Sequence, residues 1–339
     1  MPDPQALQVA YDKRLTYRLA ADLGVDYPWT HYPANHDEVA ALDCEFPAIL
    51  KPAIKRGYNS FTHAKAWLVT DAADLLARYD EAAALIDPDL IMVQELIPGG
   101  GETQFSYAAI CQDGQVLASL VARRTRQYPI DFGLNSTYVE TVDEPGIEEP
   151  ARRLLTALRY TGAVEVEFKR DRASGRYKLL DVNPRLWAWH TLGERAGVDF
   201  TYLIWRLIHG QPIQPVRGRT GVRWVSMVGD LHAVVSEIKR GRLTPGGYLR
   251  SLRGPLQLAT FALDDPLPAL IEAPLLVYLL SKPVGFSETQ WIAARLHGLS
   301  SRLPWPPKPA NRPQPPAPVR PTMGPLYPHG PTSGRGGAD

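Results

Sequence analysis

Apolar residues recur at helical spacing at Leu15, Leu19 and Leu23, and Gly24 closes the stripe, so the pattern predicts a helix over residues 12–23. An apolar run at residues 46–50 ends in Lys51 and Pro52 and reads as a short buried strand. Residues 56–60 read as a polar, glycine-containing loop, residues 66–69 as a second strand and residues 71–85 as a helix. Residues 90–95 form another buried strand that runs into Pro98, Gly99, Gly100 and Gly101. Residues 105–110 and 115–122 flank Asp113-Gly114 and predict a hairpin. A helix is expected over 150–159, strands over 163–170 and 176–182, and a helix over 199–208; the stretch 224–299 is mostly helical by pattern. Strands and helices interleave, but the hairpins oppose a doubly wound parallel sheet. The expected class is α+β with largely antiparallel sheets.

Composition narrows the picture. The 339 residues are enough to bury a core without disulfides or a structural metal. A net charge of +1 gives no footprint for nucleic acid. Cys44 and Cys111 form no disulfide framework or metal spacing and fit a reducing cytoplasm. The N-terminus lacks the basic and apolar regions of a signal peptide. The apolar run 273–280, broken by Pro274, is shorter than the ~20 residues a membrane span needs. A buried helix is expected there, with an interfacial amphipathic helix as the alternative. Of the 32 prolines, twelve fall within residues 304–331, so the chain is expected to be disordered from residue 300 onward.

The strands 163–170 and 176–182 carry the chemistry. Side chains alternate between faces along a strand, so Val164, Val166 and Phe168 point one way and Glu165 and Glu167 the other. Asp181 and Asn183 likewise share a face. Pairing Arg170 with Arg176 brings Glu165 and Glu167 to the face of Asp181 and Asn183, and the register that sets Glu167 opposite Asp181 does the same. A slip of one residue from either would split them. Facing like charges repel, and a hard divalent cation between them reverses the sign. Mg²⁺ takes one or two carboxylates plus phosphate oxygens. Arg185, just beyond, is placed to clamp a phosphate or carboxylate.

Lys51, at the end of a buried strand, is a candidate point charge for a nucleotide phosphate, and Lys13 is a second. Each lysine read alone is more often a solvated surface residue. The backbone of Glu95, Leu96 and Ile97 is a candidate reader of an adenine edge, and Glu102 a candidate partner for ribose hydroxyls. Read locally, a plain glycine turn is the favoured reading. The chain has no P-loop and no Gly-x-Gly-x-x-Gly after a first strand.

Taken in order, Asp12-Lys13, residues 46–52, 93–102 and 165–185, together with residues 124–129 and Trp187-Ala188-Trp189-His190, resemble the ATP-grasp superfamily. The resemblance is to the carboxylate–amine ligase branch, near D-aspartate ligase and the ATP-binding part of carbamoyl-phosphate synthase. It implies ATP held between two α+β subdomains. Residues 1–45 would be an N-terminal helical part, 46–104 the small subdomain, 105–215 the large subdomain with the metal site, 216–299 a helical extension and 300–339 a tail. Carried over by position, Lys13 and Lys51 would contact phosphates, Glu95, Leu96 and Ile97 would hold adenine, and Glu102 the ribose. Glu167, Asp181 and Asn183 would ligate Mg²⁺, with Mn²⁺ as a substitute. Arg185 would steady the transferred phosphate, and Arg124 and Arg126 would meet the substrate carboxylate or acyl phosphate. Loop 56–62 would close over the phosphates.

The resemblance implies an ADP-forming cytoplasmic ligase that joins a small-molecule carboxylate to an amine through an acyl phosphate. Two departures stand out. Relatives carry an α/β domain before the Asp-Lys helix, whereas residues 1–9 alone precede it here. The expectations are a truncated start, a domain supplied by a separate chain, or a nucleotide-binding scaffold without turnover; a homo-oligomer is also open. The other departure is Asp181 where a Glu is common.

Overall fold

The computed structural model describes residues 2–55, 57–128 and 135–280. The chain opens on two short helices, α1 (Pro4–Tyr11) and α2 (Lys13–Asp22). The Asp12 side chain caps α2 by accepting from the Arg14 amide. A four-stranded antiparallel sheet follows, in the order β1 (Thr30–His31), β4 (Ile91–Glu95), β2 (Ala48–Pro52), β3 (Trp67–Val69). It is covered by α3 (His36–Ala40), α4 (Ser60–Ala64) and α5 (Ala72–Ala83). Leu50, Phe61, Leu75, Tyr79, Ile91 and Val93 close its core.

The second sheet contains β5 (Gln104–Gln112), β6 (Gln115–Tyr128), β7 (Asn135–Thr141), β8 (Gly162–Arg170) and β9 (Tyr177–Asn183). It also takes in three short strands, β10 (Val216–Arg217), β11 (Arg223–Val225) and β12 (Leu256–Leu258). The order is β12-β11-β7-β6-β5-β8-β9, with β10 beside β6. Among the described strands only the β10–β6 and β11–β12 pairs are parallel, in keeping with the α+β expectation. One face packs on α1, α2 and α6 (Pro145–Ala157) through Tyr107, Val164, Val166, Phe168, Leu179 and Val182. The other is covered by α7 (Leu192–Ala196), α8 (Phe200–Ile208) and the buried Trp187 and Trp189. Helices α9 (Met227–Lys239), α10 (Pro245–Ser251) and α11 (Leu267–Leu280) complete the described chain.

Several elements differ from expectation. The pattern missed α1, which Asp3 caps, because eight residues give too few turns for a period. Helix α6 starts at Pro145, five residues early; Pro150 lies inside it and does not begin it. Strand β6 runs on to Tyr128 through Arg123, Arg124 and Arg126, where charged residues break the apolar alternation. Part of the expected 56–62 loop is the first turn of α4, with Asn59 and Thr62 forming a capping box. In α11, Leu275 is 42% exposed, so the buried helix expected over 273–280 is not buried at that position, and Leu270 and Ile271 just before it are exposed too. No helix of the described residues is long and apolar enough to cross a membrane. Arg56, Pro129, the end of the helical extension after Leu280 and the proline-rich tail lie outside the described residues.

Candidate functional site

The β8–β9 hairpin builds the centre of the site. Glu165 faces Asn183 and Glu167 faces Asp181, one of the two registers expected. Nearer the turn, Arg170 pairs with Tyr177 and not with Arg176, a register one residue out of step. A bulge at Leu180 reconciles the two. It keeps Tyr177, Leu179 and Val182 all toward the core while Asp181 and Asn183 stay with the glutamates. The bulged carbonyl of Leu180 accepts from the Tyr17 hydroxyl at 2.9 Å, which repays its lost ladder bond.

On β5 the same face changes character. Ile110 and Ala108 lie in the apolar layer under α7 and α8, and Ser106 then turns polar beside Glu165. The carboxylates gather where that apolar cover stops. Arg124 Nη1 donates to Glu167 Oε2 at 2.7 Å and its Nε to Ser136 Oγ at 2.7 Å. Lys13 Nζ meets Asp181 Oδ1 at 2.9 Å. Lys51, Lys55, Lys65 and Arg185 all act on these carboxylates through space. Six cationic side chains therefore face three carboxylates, an imbalance that suits a polyanion. Burial and the charge of Lys13 push Lys51 down to about 8. Burial and Arg124 push Lys65 down to about 8 as well. Burial and the Glu167 charge raise the Glu165 carboxyl. Burial would raise Glu167 too, but Arg124, Lys65 and the Asn183 amide hold it low.

The remaining expected residues divide. Arg185 follows β9 at the site's rim, exposed, with Nη1 donating only to the Leu186 carbonyl among described residues. Glu95 ends β4, and its carboxylate holds Lys178 at 2.5 Å and the Trp29 amide at 3.2 Å. No backbone hydrogen bond joins Leu96 or Ile97 to another described residue. Glu102 lies in a short turn, Gly101–Thr103, and pairs with Arg172 at 2.8 Å. Arg126 is not at the site. It forms a bidentate pair with the buried Asp230, at 2.8 and 2.7 Å, and stacks 3.9 Å from the Tyr138 ring centre. Register shifts on either side of Arg126 break the parity that would have put it with Arg124.

Three residues escaped the sequence reading. Lys65 caps the end of α4 at φ +65°, a strained backbone for a side chain with a Cβ. The run Lys51, Lys55, Lys65 within one strand–loop–helix stretch was the available signal. Lys178, opposite Lys169, is the third. For a cation, Glu167, Asp181 and Asn183 offer hard oxygen donors. Among the described residues no three His, Cys, Asp or Glu side chains converge as a metal cage. Such a set fits Mg²⁺, which completes its octahedron with phosphate and water oxygens and seldom has an all-protein cage.

The family model for the carbamoyl-phosphate synthase large-chain ATP-binding domain matches residues 135–216, the stretch holding β7, β8 and β9. The carbamoyl phosphate synthase large chain of Methanosarcina barkeri is 21% identical over 192 residues, which are 54% of this chain and 17% of that one. This chain thus spans about a sixth of the curated relative's length. Biotin carboxylase of Campylobacter jejuni, solved as a β-γ-ATP complex, superposes with a TM-score of 0.53 at 19% identity. The overlap covers 62% of this chain and 49% of that one. The biotin carboxylase domain of 2-oxoglutarate carboxylase from Hydrogenobacter thermophilus, solved with MgADP, ADP and bicarbonate, gives 0.55 at 15% identity, over 66% and 51%. The chain has the ATP-grasp fold, and residues 135–216 are similar to the ATP-binding domain of the carbamoyl-phosphate synthase large chain.

Proposed function

We propose that this ATP-grasp chain binds Mg-ATP between its two sheets and activates a carboxylate for attack by an amine. The observation that carries the reading is the set of six cations around Glu167, Asp181 and Asn183. These six side chains act on Glu165, Glu167 and Asp181 by ion pair or through space, and the hard-oxygen donors of the hairpin lie among them.

The residues divide the work by position. Lys51 and Lys65 carry the desolvated ammonium groups that a triphosphate would relieve. Lys13 and Arg124 hold Asp181 and Glu167 by ion pairs, and Lys13 turns to phosphate when nucleotide arrives. The backbone at Leu96 and Ile97 reads the adenine edge beside Glu95, and Glu102 leaves Arg172 for the ribose hydroxyls. Glu167, Asp181 and Asn183 would hold Mg²⁺, which would neutralise phosphate charge there. Arg185, with no carboxylate partner among the described residues, is free to follow the transferred phosphoryl group. A carboxylate is a poor acyl donor because its leaving group is oxide. Attack of its oxygen on the γ-phosphorus releases ADP and gives an acyl phosphate. The amine nitrogen then attacks the acyl carbon, and phosphate leaves with the proton the nitrogen gives up. The protein's share is positioning and charge neutralisation, and closure of residues 57–62 over the phosphates would exclude water.

The test is binding first and turnover second. A nonhydrolysable ATP analogue should bind with Mg²⁺, and Lys51→Ala should weaken it about 10- to 100-fold, the worth of one charge-assisted contact. Incubation with Mg-ATP and pooled amino acids should release ADP and phosphate. Binding without release in any pool marks a nucleotide-binding protein without turnover. No binding at all rejects the reading.

A further inference from the structure

The buried carboxylate Glu165 has no place among these nucleotide and metal contacts, although it stands at the centre of their hydrogen bonds. It is 3% exposed and Ser106 is fully buried. Ser106 Oγ donates to Glu165 Oε1 at 2.9 Å. Asn183 Nδ2 donates to Glu165 Oε2 at 3.3 Å and to Glu167 Oε1 at 2.7 Å. We propose that Glu165, set by Ser106, is a positioning residue that fixes the Asn183 amide with its oxygen turned outward, ready to ligate the cation.

The physical argument is one of donor and acceptor count. A side-chain amide has two hydrogens on nitrogen and none on oxygen, and the two flips are nearly equal in shape. A carboxyl oxygen without a proton only accepts, and Glu165 Oε2 is such an oxygen whether the group is ionised or holds its proton on Oε1 beside the Ser106 hydroxyl. Two carboxylates flanking one amide therefore select the flip that gives each of them a hydrogen, and the carbonyl oxygen must face away from both. With Glu167 alone, one hydrogen would lack a buried partner, and rotation of the amide would present NH₂, which ligates no cation. The ladder makes the selection rigid. Glu165 lies directly opposite Asn183, while Ser106 sits one strand over, opposite Glu167. Glu165 therefore cannot swing away without breaking its bond to Ser106. Holding two buried glutamates two residues apart costs repulsion, and Arg124 on the far oxygen of Glu167 offsets it. Nothing in the nucleotide contacts requires that cost; orientation of the amide does.

The inference rests on Asn183 being a cation ligand, as in the proposed function, so its test separates the two. Mn²⁺ binding is measured by electron paramagnetic resonance on the full chain with a nonhydrolysable ATP analogue, and each variant's thermal midpoint is recorded. Glu165→Leu should weaken Mn²⁺ about 10- to 100-fold, the usual scale for removing a partner that orients a ligand. Analogue binding without metal should change less than about threefold. Glu165→Gln should retain wild-type Mn²⁺ affinity, because its carbonyl accepts from Asn183 while its NH₂ donates to Ser106 Oγ. A purely electrostatic role would lose affinity in both variants and would overturn the proposal. In an Asn183→Ala background, Glu165→Leu should add no further loss; an additive loss would overturn it as well. Should Glu165→Leu fail to fold, Ser106→Ala removes the same support, and unchanged Mn²⁺ affinity there counts against the proposal. Wild-type protein that binds the analogue but no Mn²⁺ would reject the metal reading itself, and the role of Glu165 with it.

Discussion

Lys51 and Lys65 show how differently two lysines of one site are written in a sequence. Lys51 ends an apolar run, so its strand-end position is visible locally. Lys65 owes its place to a helix C-terminus at φ +65°, a backbone feature with no signature in composition. Both are held near 8, Lys51 by burial and Lys13, Lys65 by burial and Arg124. An unfolded lysine stays protonated to about 10.4. Between pH 8 and 10 the unfolded chain thus binds more protons than the folded one, and the free protein should gain stability as pH rises through that window. Nucleotide binding should run the other way. Phosphate restores the charged form, so binding takes up protons and affinity should fall above pH 8, by up to about tenfold per pH unit for each lysine. Titrating an ATP analogue from pH 7 to 9.5 checks this, and Lys51→Met should flatten the slope. An affinity independent of pH would separate these lysines from the phosphates.

Among elements, the β8–β9 hairpin was the most legible and β6 the least. In the hairpin, apolar and acidic positions alternate within one short stretch, so parity alone gathered Glu165, Glu167, Asp181 and Asn183. The bulge at Leu180 was not legible, because it answers to Tyr17 on α2, 163 residues away in sequence. Strand β6 went unread beyond Ala122 because its side chains are answered by Glu140, Glu167 and Asp230 on other elements. Its backbone has a further tie. A Cβ on Gly101 would sit well inside contact distance of the Arg124 carbonyl oxygen, so the turn before β5 presses directly on β6. Gly101→Ala should cost about 1–3 kcal/mol in urea unfolding, the range for overpacking. It should also weaken analogue binding, since Arg124 orients Glu167. Gly246→Ala, whose Cβ meets open space in α10, is the control and should be neutral or slightly stabilising.

On the scale of the whole molecule, Arg126 decides how the C-terminal segment belongs to the fold. It read as a candidate for the substrate carboxylate because it lies two residues from Arg124, and nothing near it in sequence supplies a partner. Asp230, 104 residues on, does. Arg126 Nε and Nη2 grip both oxygens of a fully buried Asp230, Thr137 donates to it at 2.9 Å, and Arg126 Nη1 reaches Ser251 at 3.0 Å. The pair locks α9 and α10 onto β6 and β7, and β10, β11 and β12 extend the same sheet, so residues 216–258 are part of the large layer and not an appended helical unit. Removing one partner of a buried pair leaves an uncompensated charge, at a cost of about 3–5 kcal/mol. Asp230→Ala should be destabilised by that amount in urea unfolding. Arg126→Met combined with Asp230→Leu should recover most of it, since an apolar replacement of both members removes the stranded charge. In each folded variant the affinity for an ATP analogue should stay within about threefold of wild type, because neither residue faces the carboxylates of the hairpin. A stable Arg126→Met protein that binds nucleotide normally but loses acid-dependent ADP release would return Arg126 to the substrate site and leave Asp230 as the group that aims it.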